Sequence, residues 1–215
     1  MIVDNVQSWN ERGGVRVKLV PNLQMQVASH LRQRILSGQL AAGTPFREQE
    51  LAEEFGVSRG PIRDALLTLT KEGLLHARPN VGARVADAPS VFKRGVIVNL
   101  RRDIEGAALA VWFAARDPAL LEQLDANLAE YREVCARAEF GRVVELDMAF
   151  HRLLVESADG GSLIDLWVPV ILQMFLRYSR HQSLMDSHDE HAAIVRALYA
   201  DESARAVELL RQHIV

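Results

Sequence analysis

The strongest constraint on the fold is a sharp break between two short helical patterns, close to Gly56. Apolar residues recur at helical spacing across residues 47–55, and Gly56 is suited to end that helix. Ser58 is suited to cap the helix that follows, and Pro61 is tolerated in its first turn. The buried stripe of that second helix is expected to consist of Ile62, Leu66 and Leu69. Two short helices joined by so tight a turn are typical of a helix-turn-helix motif.

A third helix and a pair of strands flank this motif. Upstream, apolar residues share one helical face across residues 23–35. Downstream, residues 74–78 and 83–86 have the character of short strands, and residues 79–82 between them have hairpin chemistry. Three helices followed by a small hairpin predict a winged helix-turn-helix domain over residues 21–88.

The remainder of the chain, residues 89–215, is predicted to be entirely helical. No strand pattern interrupts it, and glycine, proline, serine and aspartate residues mark the breaks. The expected helices span about 90–115, 118–138, 141–158, 162–181, 187–200 and 202–214. The fifth is expected to begin at Ser187, the first residue of a capping-box pattern that ends at Glu190. These patterns predict an antiparallel all-helical bundle, and the fold class is mainly α.

Composition and charge restrict the possible functions. Residues 1–20 lack sustained periodicity and predict an N-terminal arm rather than a secretory signal. Residues 1–88 hold 11 Lys and Arg against 9 Asp and Glu, whereas residues 89–215 hold 14 against 19, a contrast compatible with DNA binding by the first part.

No apolar run reaches the ~18 residues of a membrane span, so no membrane partner is expected. The single cysteine, Cys135, cannot form an internal disulfide, which favours a cytoplasmic location.

The second helix of the helix-turn-helix motif begins with residues that are suited to contact DNA. A recognition helix enters the major groove with its N-terminal end leading. Arg59 and Arg63 lie one turn apart on the same side, so both guanidinium groups can reach guanine edges or phosphates. Ser58 can approach a phosphate beside the exposed backbone N–H groups, and Gly60 removes bulk where the backbone must come close. We therefore expect a double-stranded DNA operator as the partner.

Four polar residues on apolar stripes define a second candidate site. Asp147 and His151 share one face of a helix, four residues apart, beside side chains that should be buried. His191 and His213 each lie on the apolar face of a later helix. Because burying an unpaired polar or charged group is costly, the four are expected to meet in a common interior.

One carboxylate and three imidazoles suit a divalent metal ion, with zinc as the preferred ion and nickel or manganese as alternatives. Two other interpretations stay open. The four residues can form a polar network without metal, or they can hold a water-activating metal in a hydrolase. No general base is evident beside these residues, and an enzyme would not need a DNA-binding domain. We therefore expect no enzymatic activity.

Several short runs in the first domain match a known pattern. They are Ile35–Leu40, Gly43, Leu51-Ala52, Val57–Leu66, Glu72–Leu74 and Gly82–Val85. With these runs, the segment from Leu31 to Val85 resembles the DNA-binding domain of the GntR family of transcription regulators. The resemblance implies DNA contacts from Arg47, Ser58, Arg59, Gly60 and Arg63. It further implies wing contacts from Arg78, Asn80 and Gly82. Gln49 occupies a position where the family sometimes has a DNA-contacting arginine, and Gly60 stands where the family often has threonine.

Four later runs match a second pattern. They are Arg101–Glu105, Asp147–His151, Glu190–Ile194 and Arg211–Ile214. Residues 90–215 thereby resemble the FCD ligand-binding domain of the FadR subfamily, and six rather than seven helices place the chain nearer its VanR-like branch. In that family the arginine of the first run commonly faces the cavity and holds an effector carboxylate. The resemblance gives this role to Arg101.

Together these interpretations predict a homodimeric DNA-binding transcription regulator, a repressor by type, whose operator affinity is controlled by a small organic acid bound near a divalent metal. A homodimer is expected because one winged helix covers only one half-site. The alternatives are a metal-dependent hydrolase, a DNA-binding regulator without metal or effector, and a helical domain that serves only dimerisation.

Overall fold

The computed structural model describes residues 22–78, 82–158, 161–176 and 183–215. The arm expected over residues 1–20 lies outside these ranges, as do Asn80 and the side chain of Arg78 on the expected wing. Within the described ranges, no helix is both long and apolar enough to cross a membrane.

The first part of the chain contains three helices and a three-stranded sheet. The elements are α1 (Leu23–Leu36), β1 (Pro45–Phe46), α2 (Glu48–Phe55), α3 (Arg59–Lys71), β2 (Leu75–Arg78) and β3 (Gly82–Val85). Helix α2 ends as expected at Gly56, which adopts the left-handed conformation with φ of 64°. The next helix starts one residue after Ser58, so the tight turn between the two helices is present.

The sheet has one strand more than the sequence analysis predicts. Strand β3 lies in the centre and pairs antiparallel with both β1 and β2. Pro45, expected in a turn, instead pairs with Arg84, and Val85 exchanges backbone hydrogen bonds with Thr44 and Gly43 at 3.0 and 2.9 Å. A two-residue strand shows no alternation in the sequence, which is why the pattern did not reveal it.

The second part of the chain is helical in all its described ranges. Its helices are α4 (Val91–Ala115), α5 (Pro118–Ala136), α6 (Phe140–Glu156), α7 (Ile164–Phe175), α8 (Leu184–Tyr199) and α9 (Ser203–His213). The expected start of α8 at Ser187 is wrong. Ser183 is the N-cap, and its side chain accepts a hydrogen bond from the Met185 backbone N–H at 3.2 Å. Ser187 lies inside the helix and is fully buried.

The two parts share a hydrophobic core. Side chains of α1, α2, α3 and the sheet pack in one cluster with Val155 of α6 and with Trp167, Ile171 and Leu172 of α7. Gln33 of α1 also donates a hydrogen bond to Glu145 of α6. Because close-packed interiors transmit displacement, a shift of α6 or α7 would also displace the helices that are predicted to bind DNA.

Candidate functional site

The exposed start of α3 presents the residues predicted to read DNA. The side chains of Arg59 and Arg63 are 57% and 65% exposed, although both guanidinium groups form an ion pair with Glu48. Ser58 has extended backbone at the N-cap position, but its hydroxyl makes no capping hydrogen bond. A Cβ added at Gly60 would meet only the Ser58 Oγ, at 4.0 Å, so the surface there is open. This arrangement is suited to close approach by a nucleic acid backbone.

The other residues predicted to contact DNA lie at the start of α2 and beside the wing. Arg47 donates to Glu50 at 2.8 Å and Gln49 donates to Glu53 at 2.7 Å, and both side chains are exposed. Gly82 opens β3 with φ of +85°, a backbone conformation that favours glycine.

Glu48, which was not predicted from the sequence, joins the two arginines that are predicted to read DNA. It accepts a hydrogen bond from Arg59 Nη2 at 2.8 Å, and from Arg63 Nε and Nη2 at 3.2 and 3.1 Å. The hydrogen bonds from Arg63 and Arg59 lower the pKa of Glu48 below its ordinary value. A glutamate at the start of α2 is unremarkable in the sequence, and only the packing of α2 on α3 reveals its partners.

The four residues proposed from the sequence as metal ligands converge in the helical part. Asp147 and His151 come from α6, His191 from α8 and His213 from the end of α9, and all are buried. One ligand atom from each lies within 4.8 Å of the other three. His151 Nε2 is 3.0 Å from His213 Nε2 and 3.2 Å from His191 Nε2.

The second nitrogen of each ring has an acceptor of its own. His151 Nδ1 is 2.7 Å from Glu105 Oε2, His191 Nδ1 is 2.7 Å from the Ser187 carbonyl oxygen, and His213 Nδ1 is 2.7 Å from Glu190 Oε2. A carbonyl oxygen only accepts, so the Nδ1 of His191 carries the proton in the neutral ring. Carboxylates impose the same tautomer on the other two.

This tautomer leaves three Nε2 lone pairs facing one another inside the core. Two acceptor nitrogens 3.0 Å apart repel each other unless a proton or a cation lies between them. For ligands about 2.1 Å from one ion, neighbouring ligand atoms are roughly 3.0–3.4 Å apart. The Nε2 separations of 3.0 and 3.2 Å agree with that range. The donor set therefore fits a divalent cation.

Burial keeps His191 in the neutral state that a cation needs. Burial lowers the pKa of His191 to about 3, although the negative charge of Asp147 acts to raise it. Burial acts to raise the pKa of Glu105, but the positive charge of Arg101 and the interaction with His151 lower it to about 2. At neutral pH the imidazole of His191 is neutral and the carboxylate of Glu105 is charged.

Glu105 links the histidine cluster to Arg101. Its Oε1 accepts from Arg101 Nε at 2.6 Å and from Trp167 Nε1 at 2.8 Å, while Oε2 faces His151. The sequence analysis noted Glu105 only as the end of a matching run. Its i, i+4 relation to an arginine on the same helix is a signal that could have identified the pair.

Arg101 turns inward and has spare hydrogen-bonding capacity. The residue is buried, its Nη1 contacts the Met174 sulfur at 3.8 Å, and its Nη2 has no hydrogen-bond partner among the described residues. The adjacent Arg102 is used elsewhere, because its Nε donates to the backbone oxygens of Arg211 and Ile214 at 3.0 and 2.9 Å. Of the two neighbouring arginines, Arg101 is the one placed to meet a buried anion.

Comparison with known proteins identifies both parts of the chain. Residues 23–85 match the model for bacterial regulatory proteins of the gntR family, and residues 96–215 match the model of the FCD domain. The chain belongs to the GntR family. It is a DNA-binding transcriptional regulator with an FCD effector-binding domain, and the expected fold class is confirmed.

Individual relatives agree with this assignment. This GntR protein is 28% identical over 195 residues to the "Probable D-xylose utilization operon transcriptional repressor" of Paenarthrobacter nicotinovorans, covering 88% of this chain and 84% of that protein. It is 32% identical over 138 residues to the HTH-type transcriptional repressor RspR of Escherichia coli K12, covering 64% and 60%. The structure of E. coli McbR/YncC has the same fold, with a TM-score of 0.77, 20% identity, and coverage of 89% and 93%.

Arg59→Ala and Arg63→Ala are each expected to weaken specific DNA binding by about 1–3 kcal/mol and to relax preference at one base position. The physical reason is the loss of a guanidinium that is expected to reach the major groove. Fluorescence anisotropy across a salt titration, on a site selected from randomised duplexes, measures the effect. Arg152→Ala, which removes an exposed arginine paired with Glu156 on α6, is the control. Wild-type binding by both α3 variants would show that α3 is not the recognition helix.

Metal-free protein is expected to lose stability as the pH falls from 7.5 to 5. The unfolded His191 takes up a proton near pH 6.5 and the folded one only near 3, so acid favours the unfolded state in this window. Protonation of Glu105 causes a further loss of folding stability, but only as the pH falls below the ordinary pKa of 4.5 for this group. Urea unfolding in the presence of chelator measures the trend. His191→Gln should flatten it, and an equally steep pH dependence in that variant would contradict the assignment.

Proposed function

We propose that the protein is a homodimeric repressor whose operator affinity changes when a small organic acid binds beside a divalent metal. The observation that carries this proposal is the buried Nη2 of Arg101, which lacks a hydrogen-bond partner among the described residues. The carboxylate of Glu105 connects Arg101 to the histidine cluster, because it contacts both Arg101 and His151. A buried donor without an acceptor costs about 1–3 kcal/mol, and a ligand carboxylate would recover that cost.

Asp147, His151, His191 and His213 would hold the metal. Zinc is the first choice from one carboxylate and three imidazoles, with nickel or manganese as alternatives. When bound, the ion would supply a positive charge that attracts the ligand carboxylate. Each ligating ring is already oriented through its Nδ1, a feature that usually accompanies metal-binding histidines.

The effector would be a small carboxylate held by the free edge of the Arg101 guanidinium. Glu105 holds the Nε edge, so Nη2 and the remaining hydrogen of Nη1 are the donors left for a ligand. A carboxylate accepts such donors in a charge-assisted geometry that a single lysine ammonium could not match. Arg102 is excluded from this role by its bonds to the end of α9.

Glu105 also offers a path from the effector to the DNA-binding helices. The same carboxylate that holds Arg101 and His151 accepts from Trp167, and Trp167 packs in the core shared with α1, α2 and α3. Ligand binding that shifts Arg101 or the cluster would therefore bias the position of α7. Two arrangements of that shared core would present the recognition helices differently to DNA.

An exposed apolar stripe on α4 supports a dimer. Phe92, Val96 and Leu100 follow one another at i, i+4 spacing and are 83%, 45% and 47% exposed. A second copy packing on this stripe would bury it and would bring two winged helices to the two halves of an operator. A regulator that acts on DNA would work in the cytoplasm.

The rival functions fit less well. A hydrolase is disfavoured because the relatives named above are transcriptional repressors, and their names favour repression here. A metal-free polar network is disfavoured by the three converging Nε2 atoms. The described part of the chain has six helices after residue 90, which favours the VanR-like branch of the FadR subfamily.

Purified protein is expected to contain one divalent ion per chain by elemental analysis, and chelation is expected to lower the Tm. Metal binding to the native state adds directly to folding stability, and added zinc should restore it. His191→Ala and the milder Asp147→Asn should lose both the ion and the chelator effect. His188→Ala, one turn away on α8 and paired with Asp189, is the matched control. A metal-free protein with a chelator-insensitive Tm would refute the site.

Arg101→Ala is expected to fold, bind metal and bind DNA, yet to ignore the effector. The variant keeps the four ligands but lacks the donor for a carboxylate. A thermal-shift screen of small mono- and dicarboxylates against wild type identifies responders, which are then tested for release of the selected duplex. Arg101→Gln, which retains an amide near Glu105, guards against a folding defect, and Arg102→Ala is the control. Response lost in Arg102→Ala but kept in Arg101→Ala would reverse the assignment.

A further inference from the structure

Glu48 occupies an unusual place for an acidic residue on a DNA-binding surface. Its carboxylate lies between the two arginines expected to read bases, in a position where it opposes attraction to phosphates. It accepts three N–H groups, two of them from Arg63. Its side chain is 28% exposed, against 57% and 65% for the arginines it holds.

We propose that Glu48 is a positioning residue that sets the specificity of DNA recognition. It holds one edge of Arg59 and one edge of Arg63, so that both guanidinium groups point from α3 in a fixed direction. It also offsets part of their charge, so that they bind a matched base edge rather than any nearby phosphate. The inference rests on DNA binding through α3.

The bridge has a geometry that an ordinary surface ion pair lacks. Exposed pairs contribute little because ordering two long side chains costs entropy. Here one carboxylate on α2 orders two arginines on α3, and Arg63 is held through both Nε and Nη2, which fixes the plane of its guanidinium. The hydrogen bonds from Arg63 and Arg59 also lower the pKa of the Glu48 carboxyl below its ordinary value.

The geometry leaves the donors that base reading requires. Arg63 uses Nε and one Nη2 hydrogen on Glu48, and Arg59 uses one Nη2 hydrogen, so each retains its Nη1 group and one Nη2 hydrogen. Two adjacent donors are what a guanine O6 and N7 pair accepts. Because the side chains are ordered before DNA arrives, less entropy is lost on binding the correct site.

Glu48→Gln is therefore expected to bind random-sequence duplex several-fold more tightly and to lower the ratio of operator to random-duplex affinity by about tenfold. Freed arginines would gain phosphate contacts, so the slope of log affinity against log salt should steepen by about 0.9 for each new contact. The measurement is anisotropy on the site selected by the wild type and on a random duplex, together with repeat selection by the variant.

Glu54→Gln is the matched control, since it removes an α2 carboxylate paired with Arg34 of α1, away from Arg59 and Arg63. It should leave the affinity ratio unchanged. Equal ratios of operator to random-duplex affinity in the Glu48 and Glu54 variants would overturn the proposal. The loss of any negative charge on α2 would then explain the result. Thermal melts of both variants verify that the fold is intact.

A double-mutant test separates positioning from direct contact. In an Arg59→Ala Arg63→Ala background, Glu48→Gln should no longer change the affinity ratio, because its partners are gone. In the otherwise wild-type chain it should relax the same base positions that the two arginine substitutions relax. Relaxation at a different position would mean that Glu48 touches DNA itself, which overturns the inference. Arginine variants without any effect would instead refute the recognition surface.

Discussion

The organisation of this regulator depends on one buried carboxylate. Glu105 is fully buried and accepts from Arg101, His151 and Trp167 at 2.6–2.8 Å. An isolated charge at this depth would cost several kcal/mol, so the carboxylate is tolerable only because a guanidinium and two N–H groups compensate it. Each of the three partners serves a different part of the molecule. Arg101 faces the candidate effector position, His151 belongs to the candidate metal cluster, and Trp167 lies in the core shared with the DNA-binding helices.

This constraint explains why the histidine cluster has a defined state. By accepting from the Nδ1 of His151, Glu105 leaves Nε2 as a lone pair aimed at His213. The Ser187 carbonyl and Glu190 do the same for the other two rings. With the ring protons on Nδ1, no hydrogen lies between the Nε2 atoms, and a cation is the simplest group that would relieve their repulsion. Burial, rather than these hydrogen bonds, lowers the pKa of His191, because the packing excludes the solvent that a charged ring would need.

The sequence predicted the features that arise from local spacing and missed those that arise from packing between elements. The turn between α2 and α3 was predictable because Gly56, Ser58 and the apolar stripe around Leu66 are local signals. The four candidate metal ligands were predictable because polar groups on apolar stripes require partners. The start of α8 was wrong because the Ser187–Glu190 capping-box pattern also fits a helix interior, and Ser187 is held there by Tyr131 Oη at 2.9 Å. Glu48 and Glu105 were not recognised, since a glutamate acquires its role only when another helix brings its partners.

Glu48 and Glu105 make the same kind of interaction with arginine, one at the protein surface and the other in the buried interior. Glu105 holds one edge of Arg101, Glu48 holds one edge of Arg59 and of Arg63, and each arginine keeps other donors for an anion. The proposed anions are a ligand carboxylate at Arg101 and DNA at Arg59 and Arg63. At the exposed pair, counterions compete with phosphate and the interaction weakens steeply with salt. At the buried pair of Arg101 and Glu105, the surrounding protein excludes that screening, so binding of a carboxylate to Arg101 would depend little on ionic strength. On the proposed function, such a regulator would bind its effector in a protected interior, while a modest change in the orientation of α3 would be enough to alter DNA contacts that salt already weakens.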